Sequence, residues 1–252
     1  MDAERWEAAA RVLSKGRVVV LAGPGLLGCA GLQAPERRGG LWDQFGVERC
    51  ATPAALVKEP ALAWAALSAW LGEVRGSLQT TGLSPQHRAL RVLEEARLLR
   101  GVICTTTDGL ARAAGVERVA ELYGAIDRLR CTGCAWRGLA GEDFGGAPPR
   151  CAACGAALRP DMVLFEELIP QAPRALAAQW VYGGGCLLAL GADLAMPPLH
   201  RVPEEMMQEG GLTIGLGPGV EPGAVRRVRG IYLGEGLEGL AGLVRRAVER
   251  KG

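Results

Sequence analysis

Two cysteine pairs carry the clearest chemistry in this chain. Cys131-Thr-Gly-Cys134 and Cys151-Ala-Ala-Cys154 are C-x-x-C knuckles separated by 16 residues. Each knuckle offers two thiolates from one tight turn, and four thiolates close a tetrahedral shell around zinc. Gly133 and Gly155 permit those turns. A closed four-sulfur shell leaves no open position for water, so such a zinc is structural. A redox dithiol is the competing reading. Cys104 and Cys186 fall in apolar runs and read as core thiols. Cys29 lies beside a glycine loop and is a candidate reactive thiol.

That loop is Gly23-Pro-Gly25-Leu-Leu27-Gly28, a literal G-x-G-x-x-G directly after a short apolar run. In a dinucleotide fingerprint the glycines let the backbone approach a pyrophosphate, which backbone N–H groups then bind. An ordinary dehydrogenase would follow with a helix and a strand ending in an acidic residue. Asp43 has the right distance, but residues 29–42 lack that pattern, so the dehydrogenase reading is rejected. The chain contains two histidines, His87 and His200, so any His general base must be one of them.

The elements that must position these residues follow from pattern. Residues 4–14 read as an amphipathic helix and 17–22 as a buried strand. Residues 52–80 look mostly helical, with Trp64 and Trp70 on apolar faces. Ser84-Pro85 starts a helix, with Ser as N-cap and Pro at the first position, running to about Leu99. Strands are read at 101–105, 119–122, 162–165, 186–190 and 212–216, and a last helix at 237–250. Alternating strands and helices predict an α/β fold with a parallel sheet. The chain has 252 residues, 49 % hydrophobic and 22 % charged, with net charge +2. That composition excludes overall disorder and gives no electrostatic case for nucleic acid. No apolar run reaches 18 residues, so no membrane span is expected. The charged N-terminal residues lack a signal-like core, and a cytoplasmic location is expected.

Together these pieces resemble the sirtuins, the NAD-dependent protein-lysine deacylases, over about residues 10–245. The glycine loop with Gly31-Leu32 stands at the family's G-A-G-I-S…S-G-I-P-D-F-R segment. Gly40-Leu41-Trp42 resembles its G-L-W, and Pro85-Gln-His87 is similar to a helix start in which the His is structural. Thr105-Thr106-Thr-Asp108-Gly-Leu110 sits at Q-N-I-D-G-L, and Glu121-Leu-Tyr123-Gly124 at E-L-H-G. Leu158-Arg-Pro-Asp-Met-Val163-Leu-Phe165-Glu166-Glu167 resembles L-R-P-x-V-V-x-F-G-E. Gly191-Ala-Asp193-Leu resembles G-T-S-L, with Pro198 at its downstream proline. The resemblance implies a Rossmann-like part at about 1–35, 81–124 and 158–252. It implies a smaller module at about 36–80 (helical) and 125–157 (zinc). In that family NAD and an acyl-lysine meet in the cleft between them.

The departures from the family fall on the chemistry. Tyr123 replaces the catalytic His, and a phenol with pKa about 10 is a poor base at neutral pH. Thr106 replaces the Asn that positions the ribose, while Asp108 is retained. At the cofactor positions Gly23, Gly25 and Gly191 are kept. Pro24 lacks an N–H, Leu27 lacks the serine hydroxyl, and Asp193 sets a carboxylate near phosphate. Arg37 stands one residue from the family's arginine, and Gly215 replaces an Asn near the adenosine ribose. Val163, Phe165 and Glu166 mark the segment that pairs with a substrate peptide in sirtuins. The expectation is a zinc-containing pseudoenzyme with weak or absent NAD binding, acting on a protein or peptide partner, with no nucleic-acid or membrane partner. The alternative is an active NAD-dependent deacylase or ADP-ribosyltransferase using a base other than His. An unrelated nucleotide-binding protein with a zinc knuckle is a third reading.

Overall fold

A computed structural model describes residues 2–141, 147–197 and 199–251; Pro198 and part of the span between the cysteine pairs lie outside them. The elements in chain order are α1 (Asp2–Leu13), β1 (Val18–Ala22), a 3-10 helix (Pro24–Ala30), α2 (Leu41–Phe45), α3 (Val47–Cys50), α4 (Pro53–Lys58) and α5 (Pro60–Thr80). There follow α6 (Pro85–Glu95), β2 (Leu99–Cys104), α7 (Leu110–Ala113), β3 (Val119–Glu121), β4 (Gly124–Cys131), β5 (Arg137–Leu139) and β6 (Leu158–Met162). The chain ends with α8 (Gln171–Val181), β7 (Cys186–Leu190), α9 (Val202–Gln208), β8 (Leu212–Leu216), α10 (Pro222–Arg227), β9 (Ile231–Tyr232) and α11 (Leu240–Lys251).

Six strands form one parallel sheet in the order β3-β2-β1-β7-β8-β9. This is the doubly wound arrangement of the Rossmann fold, and its winding reverses between β1 and β7. β1 is buried on both sides, which its Val-Val-Val-Leu-Ala composition allows. Val18, Val20 and Ala22 enter one hydrophobic cluster; Val19 and Leu21 enter another on the opposite face. Because Ala22 pairs with Leu190, the loops after β1 and β7 leave the sheet side by side.

A second, antiparallel sheet has the order β5-β4-β6. A third cluster joins this sheet to the helices, packing Trp42, Trp64, Trp70 and Leu71 with Ile126, Leu129 and Leu158. Trp70 is fully buried, and its Nε1–H donates to Thr107 Oγ1 at 3.1 Å, tying α5 to the end of β2.

Several boundaries differ from the sequence reading. The 52–80 helix is two helices, because Pro60 cannot continue α4 but suits the first position of α5. The 162–165 strand is displaced: β6 ends at Met162, and the chain turns through Glu166 at φ +71°. The last helix starts at Leu240 rather than Leu237; Gly239 lies under Trp6, where a Cβ would fall 2.3 Å from the indole.

Candidate active site and metal centre

The four knuckle cysteines converge. Cys131 ends β4, and the Sγ atoms of Cys131, Cys134, Cys151 and Cys154 all lie within 4.8 Å of one another. Cys131–Cys154 are 3.4 Å apart and Cys134–Cys151 3.7 Å. These separations far exceed a disulfide bond, of about 2 Å. They approach the edge of a tetrahedron with metal–sulfur bonds of about 2.3 Å. Gly155 sits at φ +74°, so its turn does need glycine. Gly133 serves differently: its φ is ordinary, but a Cβ there would meet the Ala156 methyl at 2.8 Å. Burial works against the Cys131 thiolate, yet the Gly133 N–H and the neighbouring thiols outweigh it and bring its pKa to about 6. The donor set therefore fits zinc, and these four residues would hold it.

The glycine loop is packed rather than open. Gly23 N–H donates to Leu190 O at 2.9 Å, Gly25 N–H to Gly191 O at 2.8 Å, and Leu26 N–H to Gly23 O at 3.0 Å. Pro24 has no N–H. A Cβ on Gly23 would lie 2.4 Å from Ala192 Cα, and one on Gly25 2.4 Å from Pro218 O. Both glycines are thus required by contact with protein backbone. Gly191, at φ +58°, completes this contact from the β7 side.

Leu26 and Leu27 are buried. With Gly23, His87, Cys104, Thr106 and Asp108 they line a cavity of about 10 Å³. Asp108 is buried, and its Oδ1 accepts from Leu110 N–H at 2.6 Å, capping the start of α7. His87 Nδ1 meets Ser84 Oγ at 2.7 Å, and burial lowers the ring's pKa despite Asp108. His87 is therefore neutral at pH 7, and the structural role implied for it matches its place in the helix cap.

Tyr123 stands between β3 and β4, half-buried. Burial raises its pKa above 10, and the Glu36 carboxylate adds to the rise. Both effects make it a weaker base than a free phenol. Sequence reasoning gave Glu36 no role; its presence beside Arg37, in the segment facing Tyr123, was the available signal. Arg37 itself is exposed. Asp193 is half-buried and accepts from Ala195 N–H at 2.8 Å, so its carboxylate caps the next turn.

The 163–166 segment is mostly engaged by its own chain. Val163 N–H donates to Tyr123 O at 2.8 Å, and Phe165 N–H to Ala51 O at 2.9 Å. Leu164 N–H donates to Glu167 Oε2 at 2.9 Å, and Glu167 is paired with Arg159 at 2.6 Å. Phe165 remains 43 % exposed, so its ring is accessible. Glu166 occupies a left-handed conformation that costs a non-glycine residue about 1–2 kcal/mol.

A doubly wound sheet joined to a four-cysteine module defines the class of protein, and the comparisons define the family. The model of the Sir2 family matches residues 27–198. The chain is 32 % identical to NAD-dependent protein deacylase 2 of Pyrobaculum aerophilum, covering 92 % of this chain and 89 % of that protein. It is 31 % identical to the NAD-dependent protein deacylase of Thermus thermophilus, covering 94 % and 93 %. A Sir2 homologue solved as its NAD complex superimposes with a TM-score of 0.83 at 25 % identity, covering 98 % and 95 %. Sir2Af2 bound to a myristoylated histone peptide shares the fold at a TM-score of 0.65 and 23 % identity, covering 99 % and 97 %. The chain belongs to the Sir2 family. No helix among the described residues is long and apolar enough to cross a membrane.

Proposed function

We propose that this Sir2-family chain keeps the sirtuin scaffold and structural zinc but not the His-dependent deacylase reaction, and that it acts by binding a protein or peptide. Tyr123 carries this reading. A half-buried phenol with a raised pKa cannot take a proton from a ribose hydroxyl near neutral pH, and a base contributes about 10²–10⁴-fold to rate. Weak NAD binding follows from the same reading: three of the loop's amide hydrogens are engaged and Pro24 has none. Thr106 and Asp108 are the remaining candidates at the catalytic positions. Gly23, Gly25, Leu27, Arg37, Gly191 and Asp193 are those at the cofactor positions, and Val163, Phe165 and Glu166 those facing a peptide. The division into a Rossmann-like part and a smaller helical and zinc module remains part of this proposal, supported by the separate cluster around Trp64 and Trp70. A cytoplasmic location belongs to it too.

A second reading has its own support. Relatives about 30 % identical over nine-tenths of the chain are named NAD-dependent protein deacylases. That likeness favours an active NAD-dependent deacylase or ADP-ribosyltransferase over a silent one. It requires a base other than His, and Asp108 is a carboxylate kept from the family motif. Incubation with NAD and an acetyl-lysine peptide separates the two: nicotinamide accumulates only under the second.

A further inference from the structure

Three arginines stand side by side where sheet energetics opposes them. In the β5-β4-β6 sheet Arg130 pairs directly with Arg137 on one side and with Arg159 on the other. Directly opposed residues of an antiparallel sheet share a face, and like charges there are destabilising. Arg128 lies two residues along β4 on that face, and Arg112 follows beyond it. Together with Glu121, Asp161 and Glu167 they make five guanidiniums against three carboxylates.

The partners are unequally distributed. Arg137 donates to Asp161 at 2.6 Å, and Arg159 donates to both oxygens of Glu167 at 2.6 and 2.7 Å. Arg112 and Arg128 both reach Glu121. The Arg130 guanidinium makes no hydrogen bond among the described residues; its nearest carboxylates are Asp161 at 3.7 Å and Glu167 at 3.9 Å. The central guanidinium of the row is part-exposed and keeps its donors unused.

Arg112, Arg128, Arg130 and Arg137, but not the mostly buried Arg159, line a groove of about 850 Å³ between β3, the antiparallel sheet and the start of α8. Its far wall is apolar, with Leu168, Pro170, Pro173 and Leu176, and Leu168 is 91 % exposed. No aromatic among the described residues lines it, so they offer no platform on which a base could stack. Carboxylates interleave with the arginines, which suits spaced acidic side chains better than a continuous phosphate chain. We infer that this groove docks an acidic peptide segment of a partner protein, whose carboxylates meet Arg130 and its neighbours while its apolar residues lie on Leu168. The site is separate from the glycine loop and does not depend on whether the cleft turns over NAD.

The probe is a short fluorescent peptide alternating Glu and Leu, with a Lys/Leu peptide as control, followed by anisotropy against the full chain. The Glu/Leu peptide is expected to bind, to weaken with added salt as exposed charges are screened, and to lose about tenfold or more in affinity with Arg130→Glu. Arg130→Lys should fall between. Arg130→Gln should keep or raise the melting temperature, because it relieves the like-charge row; a purely structural arginine would lower it. Leu168→Ser, at an exposed position, tests the apolar wall without risk to folding and should weaken binding several-fold. Absence of binding, binding indifferent to both Arg130→Glu and Leu168→Ser, or equally tight Arg130-dependent binding of a single-stranded oligonucleotide would each overturn the proposal.

Discussion

The amide hydrogen of Gly25 points to the carbonyl oxygen of Gly191, 2.8 Å away, across the gap between β1 and β7. That gap is the switch point of the sheet, where doubly wound folds place their ligands. At this point the loops after β1 and β7 are joined backbone to backbone. NAD should therefore bind weakly, with no saturation where an ordinary sirtuin saturates. Isothermal calorimetry showing tight binding would contradict this. The same contact makes Gly25→Ala costly, by about 2–3 kcal/mol from overpacking, since its Cβ would lie 2.4 Å from Pro218 O. Urea unfolding measures that loss.

Zinc should be present at about one ion per chain, on Cys131, Cys134, Cys151 and Cys154. Metal binding there is coupled to local folding. Serine at any one of the four should loosen the antiparallel sheet and expose Trp136, which packs against that cluster. Atomic absorption and tryptophan fluorescence report the two effects. A metal-free wild type, unchanged in stability by a Cys131→Ser, Cys151→Ser double substitution, would end the assignment.

Stability should fall in two stages on acidification. Burial lowers the pKa of folded His87, so below about 6.5 the unfolded chain takes up a proton that the folded chain refuses. Stability therefore drops as pH falls from about 6.5 toward the folded value. His87→Gln should flatten that slope. A second loss begins below the ordinary carboxylate value of 4.5. Burial disfavours the charged forms of Glu94 and Glu167, but their hydrogen bonds and arginine partners hold both pKa values down. Their contribution is complete above 4.5 and is lost as pH drops through the folded values. Thermal melts across the acid range check both stages.

Tyr123→His alone should not restore deacylation. A base acts only on a ribose already held, and Thr106, Pro24, Leu27 and Asp193 would still be unchanged. Activity is expected only when Pro24→Ala, Leu27→Ser, Thr106→Asn, Tyr123→His and Asp193→Ser are combined. Strong activity from the single variant would show that the cofactor site is competent as it stands.

Much of the sheet was legible because β1, β7 and β8 are short apolar runs, each followed by glycine. The cysteine cluster was legible because ligand spacing is a local property. β4 was missed because only Leu129 and Cys131 alternate with its arginines at 128 and 130, and a register shift between Gly124 and Leu129 breaks the period before them. β9 has two residues, too few for any period. The glycine loop was legible as a local pattern, but its neighbours in space, Gly191, Ala192 and Pro218, lie far along the chain and were not. The arginine row was invisible for the same reason, because Arg130, Arg137 and Arg159 become neighbours only through strand pairing.

The most direct measurement is release of nicotinamide from NAD by the purified, zinc-loaded wild type with an acetyl-lysine peptide, beside Tyr123→Phe. Release by both proteins should stay at the level of a protein-free blank. Steady release by the wild type, lost in Tyr123→Phe, would make Tyr123 a working catalytic group and contradict the pseudoenzyme reading.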